Sequence, residues 1–337
     1  MAFKRFDPED FVVSSDSITS TLWSTGNPTL TNFYTSSIQS SGTSGNYYLS
    51  VYQSTYGLSS TETQFDIAYA NSVGSGSELY NSAVAGNSYT KTIYGQYRSM
   101  ILEDENSSFI FGKGNNVLTG SDFWVISMER ARYKQSLFPG SLNLTLSGSG
   151  GIINLTDDSQ DNPVSVFLGS TRVYQLISGS NGTAGSLANS GYVANSGSYG
   201  LVFPDLGTII LNPYALSQSI NLEPNRASNT DGNNNAKLYD AIALGASFTL
   251  NSEETITSDY VFVRARNSEF NYSENPSFIS GSTGEVIYDS FINSPQVYLT
   301  TVGLYNDSND LLAVAKMSRP LLKDFTKEAL VRVKLDF

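Results

Sequence analysis

Leu142-Asn143-Leu144-Thr145-Leu146-Ser147-Gly148-Ser149-Gly150-Gly151-Ile152-Ile153-Asn154-Leu155 is the stretch that decides the fold class. Leucine alternates with polar residues over 142–146, so an extended chain here has one apolar and one wet face. The Ser/Gly run from Ser147 to Gly151 tolerates the positive φ of a chain reversal, and the apolar run resumes at Ile152. A helix would need apolar positions three and four apart, and Gly148, Gly150 and Gly151 together would weaken it. The stretch predicts a β-hairpin with a loose Gly-rich turn.

The same reading extends outward. In Tyr47–Gln53, Tyr47, Leu49 and Val51 share one face, opposite Tyr48, Ser50 and Tyr52. Thr208–Leu211, Ser247–Leu250 and Tyr260–Arg266 are further strand candidates. In the last, Val261, Val263 and Ala265 point one way while Arg264 and Arg266 point the other. Near the C-terminus, Val297–Tyr305 reads as a strand, Asn306–Asp310 as a turn and Leu311–Met317 as the returning strand, with a break at Arg319-Pro320. Asp324–Ala329 can make one helical turn. In Leu330–Phe337, Val331, Val333, Leu335 and Phe337 alternate with Arg332, Lys334 and Asp336, and a one-residue slip would reverse both faces. Helix signals are few: Asp7-Pro8 can start a short turn, Met128–Leu137 is stopped by Pro139-Gly140, and Asn235–Leu244 is closed by Gly245.

These elements predict a mainly β protein: one or more β-sandwich-like domains with Gly/Ser-rich loops, few short helices and an extended N-terminal arm. The expected division is an arm over 1–43, a main β-rich region over 44–250 and a C-terminal β module over 251–337. Residues 1–43 hold no sustained period, which fits either an arm anchored by its aromatics or an edge strand and loop of the first domain. Within the main region, low-complexity inserts near 178–199 and 225–235 bury little apolar surface and are expected outside the core.

Composition excludes more than it assigns. Cysteine and histidine are both absent, which removes disulfides, thiolate and imidazole metal sites, thiol nucleophiles and every His-based catalytic triad. A net charge of −12 opposes nucleic-acid binding, because phosphate neutralisation needs clustered Lys and Arg. Arg130, Arg132 and Lys134 are too small a group to reverse that. No apolar run approaches the roughly 18 residues of a membrane span, and the N-terminus carries no secretion signature. No nucleic acid and no membrane insertion are therefore expected.

Candidate chemical motifs are weak. Glu103-Asp104-Glu105, Asp157-Asp158 and Glu253-Glu254 read as solvated loop charges, since neighbours on a strand face opposite sides and seldom share a site. Asp231-Gly232-Asn233-Asn234 lacks the bidentate Glu of a calcium loop. Gly112-Lys113-Gly114 and Gly74-Ser75-Gly76 complete no phosphate-binding pattern and read as turns. No catalytic residue, cofactor or metal is expected. Tyrosines on exposed strands fit either subunit contacts or a sugar-binding face.

Two stretches carry a resemblance. Phe262-Val263-Arg264-Ala265-Arg266-Asn267 with Glu269–Phe278, and Tyr298–Asn306 with Leu311–Lys316, resemble segments of virion proteins of large contractile-tailed phages, T-even-like cyanophages in particular. The second is also similar to a hairpin of tail-fibre and baseplate attachment modules, with Thr301 where those modules usually carry an acid. Phe3–Phe11 looks like the start of such cyanophage proteins. The resemblance implies a structural component of the virion, assembled in the host cytoplasm. A baseplate wedge or fibre-attachment position is favoured; a carbohydrate-binding tail-tip adhesin and a neck or other tail protein are the alternatives. Its partners would be other tail and baseplate proteins and copies of itself, met through Phe3, Phe6, Phe11, Trp23, Phe270, Tyr272, Phe278 and Tyr305.

Overall fold

The computed structural model describes residues 5–41, 46–77, 88–162, 166–169, 171–186, 188–227, 233–273 and 275–336. The protein is mainly β, as its alternating sequence requires. In chain order the strands are β1 (Phe11–Thr21), β2 (Thr29–Leu30), β3 (Leu49–Tyr52), β4 (Thr63–Asn71), β5 (Phe109–Lys113), β6 (Asn116–Gly120) and β7 (Asp122–Met128). There follow β8 (Ser136–Leu137), β9 (Asn143–Gly148), β10 (Gly151–Asp157), β11 (Val166–Leu168), β12 (Thr171–Ser180), β13 (Thr183–Ala184), β14 (Gly200–Phe203) and β15 (Thr208–Leu211). The last are β16 (Phe248–Thr249), β17 (Asn251–Ala265), β18 (Val297–Tyr305), β19 (Leu311–Lys323) and β20 (Ala329–Asp336).

The chain divides into two compact units, one of Ile18–Glu254 and one of Met1–Ser17 with Thr255–Phe337. Neither boundary falls at residue 43. Leu22, Trp23, Leu30 and Phe33 are core residues of the larger unit, so most of the expected arm is part of that fold.

In the larger unit the strands of one antiparallel sheet follow the order β2-β16-β9-β10-β12-β14-β15-β7-β4-β3, with β11 and β13 added on β12. Its two ends meet where Tyr34, just beyond β2, and Tyr52 of β3 exchange backbone hydrogen bonds of 3.0 and 2.8 Å. Both faces are covered. On β4, Phe65, Ile67 and Tyr69 enter one core while Ala68 and Ala70 enter another; on β7, Trp124 and Ile126 are separated in the same way from Phe123 and Val125. The first core is completed by Leu216 and Ile220 of the helix Pro213–Ile220 and by Leu238 and Ile242 of the helix Asn233–Gly245. The second is covered by Tyr94 and Ile101 of the helix Tyr89–Leu102 and by Phe109 and Phe111 of the β5–β6 hairpin.

The deciding hairpin forms as β9–β10, but its turn is tight. Gly148 pairs with Gly151 across Ser149-Gly150. The turn is seated on the helix Pro213–Ile220, where the Gly150 N–H donates to the Ile220 carbonyl at 2.9 Å. A Cβ on Gly148 would stand 2.2 Å from that same oxygen, so the glycine is required by close approach rather than looseness.

Other expectations are corrected. Met128–Leu137 is not a helix: β7 ends at Met128, Arg130–Arg132 is a single 3-10 turn, and Ser136–Leu137 pairs with β17. Arg130 lies over the Tyr133 ring at 4.6 Å and donates to the Tyr133 carbonyl, so local side-chain bonding overrides propensity. Asp324–Ala329 is a turn in which the Asp324 carboxylate accepts from the Thr326 N–H at 2.8 Å, and β20 starts at Ala329. Pro320 does not end the strand. Leu299 pairs with Leu321 and Thr301 with Lys316, so Pro320 sits in a bulge where its missing N–H costs no ladder bond.

The insert near 178–199 is not outside the core. Ser196, Ser198 and Tyr199 are buried, and Asn212 Nδ2 donates to the carbonyls of Ser196 and Ser198 at 2.7 and 2.8 Å. Small polar groups are tolerated there because hydrogen bonds replace apolar contact. Of the insert near 225–235, Asn234 is buried and grips the Asn225 backbone through both ends of its amide. Asp231 and Gly232 lie outside the described residues.

Asp157 and Asp158 are buried, not solvated, and they face different partners. Asp157 accepts from the N–H groups of Gly140 and Ser159, and Asp158 accepts from Lys113 Nζ at 2.8 Å and the Gln175 N–H at 2.8 Å. Both carboxylates are spent on holding the β10–β12 connection.

Candidate functional site

The surface that stands out lies on the smaller unit. There β1, β17 and β20 form a sheet in that order, and β18–β19 form a separate hairpin. Val261 pairs with Val333, Val263 with Val331 and Ala265 with Ala329, so the predicted alternation fixes the register and sets one apolar face. Against it lie Val302, Leu304, Ala313 and Ala315 of the hairpin, giving a small two-layer β arrangement. The core is thin. Only Val261, Leu304 and Val333 of this cluster are buried; the other members are partly exposed.

Apolar side chains continue onto the outside. On β19, Leu312 and Val314 point away from the core face carrying Ala313 and Ala315, and they are 69% and 57% exposed. Tyr298 of β18 is 63% exposed. β1 is an edge strand with Phe11, Val12 and Val13 in succession, all exposed, so both of its faces are apolar at this end. Asp16 is the only charged residue on β1 and the strand contains no proline. It therefore lacks the common devices that stop an edge from accepting another chain.

One buried charge orders the connector after β17. Lys323 ends β19 with no exposed surface, and its ammonium donates to Asn271 Oδ1 at 2.7 Å and to the Asn267 carbonyl at 3.3 Å. Burial pushes its pKa down, opposed by Glu269 and Asp324. Arg266 N–H donates to Glu269 Oε2 at 2.9 Å, closing the same turn.

The structure separates the residues expected to meet partners. Phe6 packs on the smaller core and meets Phe11 edge-on at 5.3 Å, leaving Phe11 about half exposed. Tyr272 is exposed. Phe270 and Tyr305 are half-buried, as is Phe278, which packs on Phe291 at 5.3 Å and Tyr288 at 5.8 Å. Trp23 is a correction: it is 2% exposed in the core of the larger unit, 4.9 Å from the Phe248 ring, with its indole N–H donating to the Pro28 carbonyl at 3.1 Å. Phe3 lies outside the described residues.

Leu312, Val314, Val12 and Val13 were missed as candidates. Their signal is present in Leu311-Leu312-Ala313-Val314-Ala315 and Phe11-Val12-Val13, which are apolar at every position instead of alternating. An uninterrupted apolar strand is one that expects cover on both faces.

Among the described residues no cluster of Asp and Glu is arranged to hold a metal ion, and no helix is long and apolar enough to cross a membrane. Comparison with protein-family models, curated proteins and solved structures gave no match to the chain.

Proposed function

We propose that the chain is a non-catalytic structural component of a tailed-phage virion, positioned in the baseplate at the wedge or fibre-attachment region and acting through protein–protein assembly. The observation that carries this reading is the smaller unit: a thin core combined with apolar side chains on the outside of β1 and β18–β19. An unpaired apolar edge strand and exposed apolar side chains on a neighbouring hairpin invite another chain. The stretches that resemble contractile-tail virion proteins support the placement, since Tyr298–Asn306 with Leu311–Lys316 is the β18–β19 hairpin itself. A chain without cysteine or histidine suits a role that needs geometry and not turnover. The partners are other tail and baseplate proteins and copies of this chain.

The test is quantitative mass spectrometry of purified particles. The reading expects the chain in intact virions at a copy number that is a multiple of six. Its absence from particles, or enrichment only in the infected-cell lysate, contradicts the reading.

A further inference from the structure

The larger unit carries a second feature, independent of the surface just described. A cleft of about 350 Å³ opens between the helix Tyr89–Leu102, the Tyr47-Tyr48 segment that leads into β3, and strands β4 and β7. That size lies within the usual range for small-molecule sites. Its lining combines Tyr47, Tyr48 and Tyr97 with the polar groups of Asp66, Gln96 and Ser127.

Strand register makes the floor unusual. Ser50 pairs with Asp66, Asp66 with Ser127 and Ser127 with Thr208, so a polar row crosses β3, β4, β7 and β15. Beside that row the same face carries the apolar Ala68, Ala70, Phe123 and Val125. Gln39 Nε2 donates to Ser50 Oγ at 3.2 Å, and Ser50 is the cross-strand neighbour of Asp66. Asp66 Oδ1 is nevertheless buried with no hydrogen-bond partner. An unpaired buried acceptor costs about 1–3 kcal/mol, which a donor on a bound molecule would offset. Burial pushes the Asp66 pKa up, opposed by the Ser50 hydroxyl beside it and reinforced by nearby Glu129.

The walls add a second constraint. Tyr47 and Tyr48 are 43% and 44% exposed. Tyr47 is braced by Tyr89 at 4.6 Å between ring centroids, which preorganises one aromatic platform. Tyr97 and Ser127 line the same cleft. No Lys or Arg lines the cleft, and Glu129 adds negative potential, so anionic ligands are disfavoured. Flat rings for C–H faces, several neutral hydrogen-bonding groups and one unpaired acceptor are the recognition chemistry of a polyhydroxylated ring.

We propose that this cleft binds a neutral saccharide, which stacks on Tyr47 and Tyr48 and donates a hydroxyl hydrogen bond to Asp66. The test is titration of the full chain, followed by calorimetry and tyrosine fluorescence, with maltohexaose, cellohexaose, mannohexaose and chitohexaose. At least one is expected to bind with a Kd at or below about 1 mM. Tyr48→Ala and Asp66→Asn should each weaken that binding about tenfold or more while leaving the folded-state circular dichroism intact, whereas Tyr56→Ala, outside the lining, should leave it unchanged. The proposal is overturned if none of the four binds at about 10 mM, if binding is indifferent to both cleft variants, or if choline or free arginine binds more tightly than every sugar.

Discussion

Replacing Trp23 by alanine separates a packing role from an interface role in one side chain. Trp23 is 2% exposed, contacts the rings of Phe248 and Phe65 at 4.9 and 6.1 Å, and satisfies the Pro28 carbonyl. Truncating a buried Trp costs about 3–5 kcal/mol through lost transfer energy and the cavity left behind. Losing one of the two donors to the Pro28 carbonyl, which keeps the Leu250 N–H at 3.3 Å, adds roughly 1 kcal/mol. The expected total, about 4–6 kcal/mol, should lower the unfolding midpoint of the larger unit by roughly 8–24 °C, taking about 2–4 °C per kcal/mol. The assay is thermal and urea unfolding of the isolated chain followed by near-ultraviolet circular dichroism. Phe11→Ala is the internal control: Phe11 is 49% exposed, and its removal should cost about 1 kcal/mol or less. A Trp23→Ala chain as stable as wild type, yet unable to join its partners, would refute the core assignment.

Other expectations follow from the same contacts. Leu312→Asp with Val314→Asp should leave the stability of the isolated chain within about 1 kcal/mol, because both side chains are already in water, while incorporation into particles falls by at least tenfold as read by mass spectrometry. Asp158→Ala leaves the buried Gln175 N–H without its acceptor, while Lys113, 40% exposed, turns to water, so the chain should lose about 1–3 kcal/mol in urea titrations. Asp66→Asn tests linkage. Burial first, and Glu129 in addition, hold the folded pKa of Asp66 above the unfolded value near about 3.9, although Ser50 opposes them. Its favourable contribution is therefore present below that unfolded value and is lost as pH rises through the folded pKa. Wild-type stability minus that of Asp66→Asn should decline with rising pH over that window, and a flat difference would contradict the buried-carboxylate geometry.

Much of the fold was legible where one physical signal acted alone. Alternation placed β9 and β20 and specified the register of β20, because a slip would bury Arg332 or Lys334 in place of Val333, while apolar runs between turn residues marked β10, β15 and β18. Legibility failed where tertiary partners decided. The helix Tyr89–Leu102 begins with aromatic and β-branched residues of modest propensity, and it forms because Tyr94 and Ile101 cover the second face of the sheet. The helix Pro213–Ile220 has a readable start, Asn212 capping the Tyr214 N–H before Pro213, but its eight residues are too few to show a helical period. Buried Ser196, Ser198 and Asn234 looked like loop residues because composition does not reveal hydrogen-bond partners distant in sequence. At the cleft, Asp66, Ser50 and Ser127 are brought together only by strand pairing, and nothing in their local sequence announces it.

Hydroxyl-radical footprinting bears most directly on the claim that other chains cover the smaller unit's apolar outside. Oxidation of Phe11, Tyr298 and Leu312 should be compared between the isolated chain and intact particles. The account predicts strong labelling of all three in isolation and protection of at least fivefold or so in the particle, with buried Trp23 protected in both. Equal labelling of Phe11, Tyr298 and Leu312 in the two states would contradict it.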